Sequence, residues 1–226
     1  MKVIYYGHSC LGVETGGRHL LFDPFISSNP LAKTIAVGQI PANFILISHG
    51  HADHIGDAVA IAQRTGATCL ANFEIATWLQ AHGVAKVIPM NLGGAVACDF
   101  GRVKLVSALH SSSLPDGTYG GNPGGWLVDA AAGSFYVSGD TALTLDMKLI
   151  GESVPLKWAA LCLGDHFTMG VDDALKAADF IRCQQIVGIH YDTFPPIQID
   201  HEVAKTKFRA AGKRLHLLAV GESHTF

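Results

Sequence analysis

The segment Leu46–Asp57, LISHGHADHIGD, gathers three histidines and an aspartate within six residues. His49, His51 and Asp53 fall on alternate positions, and His54 follows at once. A strand end or extended turn places residues i, i+2 and i+4 on one side, so these three side chains can converge. His54 can turn inward as a following helix begins. A helical zinc motif would space its histidines at i and i+4, which is a different pattern. Imidazoles with a carboxylate are ligands for Zn²⁺ and its first-row neighbours. No cysteine lies in the cluster, so a thiolate structural site is not indicated. The competing interpretation is a histidine-rich surface loop.

An apolar run, Phe44–Ile47, leads into the cluster. In layered α/β folds sites gather at strand exits, and further ligands are expected there. His110 follows VKLVSAL, Asp140 follows SFYVSG, and His190 follows QQIVGI. Each alone reads equally as a ligand or as a polar strand terminator. With the first cluster they form a set large enough for two metals.

The elements that must carry these residues are short. Strands are expected at Val3–Tyr6, Leu11–Glu14, His19–Phe22, Phe44–Ser48 and Thr68–Ala71, with Gly16-Gly17 as a hairpin turn. Further strands are expected at Ala95–Cys98, Val103–Ala108, Trp126–Asp129, Ser134–Ser138, Ala159–Leu163, Ile186–Ile189 and Leu215–Leu218. Helical spacing marks Ile55–Arg64, Glu74–His82, Leu145–Ile150, Asp172–Phe180 and His201–Ala211. Ser27–Asn43 and His110–Gly125 are loops rich in turn formers. Both halves run strands first and then alternate strand with helix, which suggests a duplicated unit. No linker divides the 226 residues, so one domain over 1–226 is expected.

Composition narrows the function. Apolar content of 49% against 15% charged supports a sizeable core and excludes disorder. A net charge of −3 with no Lys/Arg block gives no pull toward nucleic acid or anionic membrane. Five scattered cysteines without a CxxC pair read as free, buried thiols in a reducing compartment. The first residues, MKVIYYGHSC, break at Gly7-His8 before a signal-peptide core could form, and no run approaches a membrane span. A cytoplasmic location is expected.

HGHADH followed in order by His110, Asp140 and His190 resembles the metallo-β-lactamase superfamily. GHSC, DPF, ALHSSS, SGDT, GDHFTMG and HYDTFP are similar to the UPF0173 group of metal-dependent hydrolases, relatives of the ascorbate-6-phosphate lactonases. The resemblance implies a four-layer αββα sandwich with metals at one edge of two facing sheets. It implies that His49, His51 and His110 hold one metal, that Asp53, His54 and His190 hold a second, and that Asp140 bridges them. It also implies two divalent ions, Zn²⁺ with Mn²⁺ or Fe²⁺ as alternatives, and it admits a homo-oligomer. Two such ions can share a hydroxide, since metal binding lowers the pKa of water from about 15.7 to about 7. Asp53 is then expected to orient or shuttle a proton as well.

Around this set stand residues with two readings each. His8 either lines the pocket and touches substrate or ends its strand. Asp23 either stabilises the turn before Pro24 or orients a ligand histidine. Asp165 and His166 are candidate substrate contacts or acid/base aids. Asp192 and Thr193 are placed to hydrogen-bond His190. Ser111–Ser113 is a polar loop and not a nucleophile, since no GxSxG elbow is present. The expected activity is hydrolysis of a small ester, lactone or phosphoester. The alternatives are a metal-dependent nuclease or phosphodiesterase, disfavoured by the absence of a basic stripe, and a non-catalytic metal-binding protein.

Overall fold

The computed structural model describes residues 1–226. The first half comprises β1 (Lys2–Gly7), β2 (Cys10–Thr15), β3 (Arg18–Phe22), β4 (Phe44–Leu46), α1 (Ala52–Ile55), α2 (Ala58–Thr65), β5 (Thr68–Asn72), α3 (Phe73–Ala81) and β6 (Val87–Met90). The second comprises β7 (Ala95–Cys98), β8 (Gly101–Ser107), β9 (Gly124–Ala130), β10 (Gly133–Val137), α4 (Met147–Ser153), β11 (Leu156–Cys162), α5 (Val171–Phe180), β12 (Gln185–Ile189), α6 (His201–Ala210) and β13 (Arg214–His216). β14 (Ser223–Thr225) returns to pair with β1.

Two seven-stranded sheets result, in the orders β14-β1-β2-β3-β4-β5-β6 and β13-β12-β11-β10-β9-β8-β7. In each, three antiparallel strands (β1–β3, β8–β10) lead into three more that continue parallel to the last of them (β4–β6, β11–β13). The expected duplication of topology is therefore present, with β14 and β7 as added edge strands.

Period-two alternation assigns each strand face. Leu20, Phe22, Leu46 and Leu70 point between the sheets, where Phe22 meets Phe135 edge-on at 6.0 Å. Leu21, Ile45, Ile47, Cys69 and Ala71 point the other way, onto Ile55, Ile61, Ile75 and Leu79 of α1–α3. On the second sheet α4, α5 and α6 add Ile150, Ala177 and Phe208 to the larger core. The layers are thus αββα. No helix is long and apolar enough to cross a membrane.

Three features depart from the expected elements. The Ile55–Arg64 helix is two helices, α1 and α2, broken at Gly56-Asp57. Asp57 is pulled toward the Pro24–Ser27 segment, where its carboxylate accepts hydrogen bonds from the Ile26 and Ser27 amides at 2.6 and 2.9 Å. The strands β6 and β14 are additional. β6 carries Pro89, which an edge position tolerates, and β14 is three residues long with little apolar signal. Four cysteines are buried and free, while Cys98 is half-buried. Burial pushes the Cys69 thiol up to about 12 and Cys162 to about 11, so both stay protonated.

The close approach of the sheets at one edge depends on Gly139. It adopts φ +59°, and a Cβ there would lie 2.6 Å from Ser48 Cβ and 3.0 Å from Gly124 O. Gly139→Ala combines a left-handed backbone with overpacking and is expected to cost about 2–4 kcal/mol. Thermal unfolding should shift down by on the order of 10 °C. An unchanged melting temperature would show that the edge can separate freely.

Candidate metal centre

Because β1, β3, β4 and β5 are mutually parallel, as are β8, β10, β11 and β12, their carboxyl ends share one edge of each sheet. His8 follows β1, Asp23 follows β3, His49 lies just beyond β4, His110 beyond β8, Asp140 beyond β10 and His190 follows β12. The remaining three come from the turn into α1, with His51 at its start and Asp53 and His54 within it. All seven residues expected to bind metal are thus brought together, and His8 with them.

Three sets of ligating atoms each lie within 4.8 Å of one another: His49, His51 and His110; His8, Asp53, His54 and His190; and His49, His54 and Asp140. Asp140 Oδ2 joins them. It lies 2.9 Å from His190 Nε2, 3.3 Å from His54 Nε2, 3.7 Å from His110 Nε2 and 3.9 Å from His49 Nε2. His49 Nε2 faces His51 Nδ1 at 2.9 Å. The His54 contact is close without being an aligned hydrogen bond. His54 Nε2, Asp140 Oδ1 and His190 Nδ1 are all buried without a hydrogen-bond partner. Buried polar atoms normally find partners, and imidazole nitrogens converging on one oxygen of a carboxylate whose other oxygen is orphaned suit divalent cations. The residues fit such a group.

The electrostatics favour neutral imidazoles at most positions. Burial, aided by neighbouring histidines, holds His49, His51 and His110 below the usual histidine value. Burial would depress His54 too, but Asp140 and Asp23 outweigh it and hold it well above. Burial opposes ionisation of Asp140, and the adjacent His54 and His190 overcome it, so the carboxylate stays charged.

A second ring of residues fixes the first. Asp23 Oδ2 accepts from His54 Nδ1 at 2.9 Å and from Ser48 Oγ at 2.6 Å, and Oδ1 accepts from the Ser48 amide at 2.7 Å. Of its two readings, Asp23 performs the orienting one. Ser48 also contacts His49 Nδ1 at 3.0 Å. A serine at a strand exit carries no distinctive sequence signal.

His8 is fully buried, with Nε2 3.1 Å from Asp53 Oδ2 and Nδ1 2.9 Å from Thr193 Oγ1. Burial pushes it down to about 4, despite the hydrogen bond to Asp53. A neutral ring that donates from Nε2 to the carboxylate must accept at Nδ1, so the Thr193 hydroxyl donates there. Asp53 is held below the usual carboxylate range: burial works against this, and hydrogen bonding from His8 and the charge of His54 prevail.

Asp192 and Thr193 do not serve His190, as their sequence proximity suggested. Asp192 Oδ2 meets His201 Nε2 at 2.6 Å and Thr193 meets His8. His190 and Asp192 both have left-handed backbones, φ +54° and +60°, which turn successive side chains apart. Asp165 and His166 lie on an exposed turn after β11, also left-handed, and neither joins the converging ligand atoms.

Residues 18–191 match the family model for the beta-lactamase superfamily domain. A UPF0173 metal-dependent hydrolase of Methylacidiphilum infernorum is 53% identical over 223 residues, covering 99% of both chains. One from Thermus thermophilus is 47% identical, covering 98% of this chain and 97% of its own. Among solved structures, Igni18, a metallo hydrolase from Ignicoccus hospitalis, superposes with a TM-score of 0.90 at 36% identity, covering 100% of this chain and 97% of that one. An isothiocyanate hydrolase from Delia radicum gut bacteria shares the fold, with a TM-score of 0.78 at 17% identity, covering 100% and 99%. The chain belongs to the metallo-β-lactamase superfamily of metal-dependent hydrolases, in its UPF0173 group.

Proposed function

We propose that the chain acts as a single domain holding two divalent ions, and hydrolyses a small ester, lactone or phosphoester. In this reading His49, His51 and His110 hold one ion, Asp53, His54 and His190 hold the other, and Asp140 is shared. The observation that carries it is the position of Asp140 Oδ2, within 3.9 Å of four imidazole Nε2 atoms. The donor set suits Zn²⁺, with Mn²⁺ and Fe²⁺ as competitors. Bound ions supply Lewis acidity, which acidifies water and neutralises charge building on the reacting oxygens.

The chain's own groups do the rest. Asp23 locks the His54 ring, so Nε2 presents its lone pair inward. His8 holds one Asp53 oxygen and so fixes the carboxylate in the second ligand set, where it would orient the reacting water. Thr193 fixes the His8 tautomer. The Ser111 hydroxyl, 3.3 Å from His51 Nε2, steadies that ring. Asp165 and His166, open to solvent on their turn, are offered to the substrate.

Asp140→Ala should keep the fold by circular dichroism, lose at least one of two metal equivalents by elemental analysis, and lose more than about a hundredfold in hydrolytic rate. Two retained equivalents with full activity would remove the shared role.

Asp23→Asn touches no reacting atom in this reading. It should weaken metal binding by about 10- to 100-fold in chelator competition, because His54 loses its carboxylate anchor. Wild-type affinity would contradict the orienting role of Asp23.

A further inference from the structure

The basic residues are sorted away from the site. Lys2, Arg18, Arg102, Lys157 and Arg214 stand at the first or second position of their strands. These strands run toward the metal centre, so their starts lie at the opposite edge. The segments that follow the strand exits, residues 8–9, 23–32, 47–57, 108–123, 138–146, 163–170 and 190–200, contain no Lys or Arg. Lys207 shares a cleft with Asp165, but its amine is paired with Asp172 at 2.7 and 2.9 Å. Lys33 is the basic residue nearest in sequence to these segments.

The rim carries apolar groups instead. Leu109, next to His110, is 64% exposed, and Phe167 is 53% exposed. Both loops are tied to Thr141, the neighbour of Asp140: the Leu109 amide donates to Thr141 Oγ1 and the Met169 amide to Thr141 O, each at 3.0 Å. Thus the loops that carry these two exposed apolar residues are both anchored to the residue beside the shared carboxylate. Enzymes that grip a phosphate away from the reacting bond use Arg, Lys or a helix N-terminus. Of the helices that follow strand exits, α1 spends its first turn on Asp53 and His54, α3 and α6 are capped by Asn72 and Asp200 with Glu74 and Glu202 in their first turns, α5 begins with Asp172 and Asp173, and α4 is only seven residues long.

We propose that the substrate is a small, uncharged acyl ester or lactone with an apolar substituent, seated against Leu109 and Phe167, and that phosphorylated substrates are refused. This rests on the hydrolase reading above and chooses among its three bond types. The oxygen of water bonds to the acyl carbon, the acyl C–O bond breaks, and one proton of the water ends on the departing alkoxide. The products are a carboxylic acid and an alcohol, joined in one molecule when the substrate is a lactone.

The test uses metal-loaded protein and δ-lactones bearing methyl, propyl, pentyl or phosphoryloxymethyl substituents, with bis-(p-nitrophenyl) phosphate as a phosphodiester. The value of kcat/KM should rise with chain length, by up to about fourfold per methylene. The phosphorylated lactone should be at least about a hundredfold poorer than the propyl one. Leu109→Ser and Phe167→Ala should flatten the chain-length dependence, the loss falling on KM for the pentyl lactone. A preference for the phosphorylated lactone that Lys33→Ala abolishes overturns the proposal. So does an unchanged chain-length dependence in both variants, or a shift in oligomeric state by gel filtration with KM unaltered, which would make the rim a contact between copies. Turnover of the phosphodiester alone overturns the acyl choice and leaves the hydrolase reading standing. Turnover of nothing by fully loaded protein overturns the hydrolase reading, and the substrate proposal with it.

Discussion

A carboxylate 2% exposed to solvent, with four imidazoles around one of its oxygens, is the constraint on which this structure turns. Removing an ionised group from water costs several kcal/mol unless charge and hydrogen bonds replace the solvent. Asp140 gains some of this from His54 and His190, yet its Oδ1 finds no donor. Imidazoles crowded at such distances also repel one another once protonated, which is why burial and mutual proximity keep most of them neutral. Neutral imidazoles pointing at a charged carboxylate are poor company for each other and good company for a divalent cation. The cluster is a ligand set first, and its contribution to stability is secondary.

The fold delivers this set through strand direction. Parallel strands in each sheet carry their carboxyl ends to one edge, and face-to-face packing brings the two edges together. Gly139 permits the closest approach, beside Ser48 and Gly124. The two hydrophobic clusters lie on either side of the first sheet, so β3, β4 and β5 are held from both faces. Residues at their ends inherit that rigidity, which preorganised sites require. Asp57 breaks the helix after His54 and ties it to the loop after β3, so the same short segment that carries Asp23 also fixes the position of α1.

Much of this was legible in the sequence because the informative residues are locally conspicuous. HGHADH cannot be mistaken for core, and His110, Asp140 and His190 each interrupt an apolar run at its exit. The family resemblance implied the sandwich, while the strand and helix periodicities implied only a repeated order of strands followed by alternating strand and helix. What the sequence hid is relational. Nothing near Asp23 says that its partner is His54, 31 residues on. Thr193 lies beside His190 in sequence but bonds His8, because two left-handed residues reverse the side-chain order. β14 has so weak a local pattern that only pairing with β1 makes it a strand. The helix break at Gly56-Asp57 depends on amides of Ile26 and Ser27, which periodicity does not register.

The central claim is that Asp140 stands between two ions. Anomalous diffraction from metal-loaded crystals tests it most directly. The reading predicts two peaks about 3.5–4 Å apart, one against His49, His51 and His110, the other against Asp53, His54 and His190, with Asp140 contacting both. A single fully occupied peak, or two that leave Asp140 without a metal contact, would contradict it.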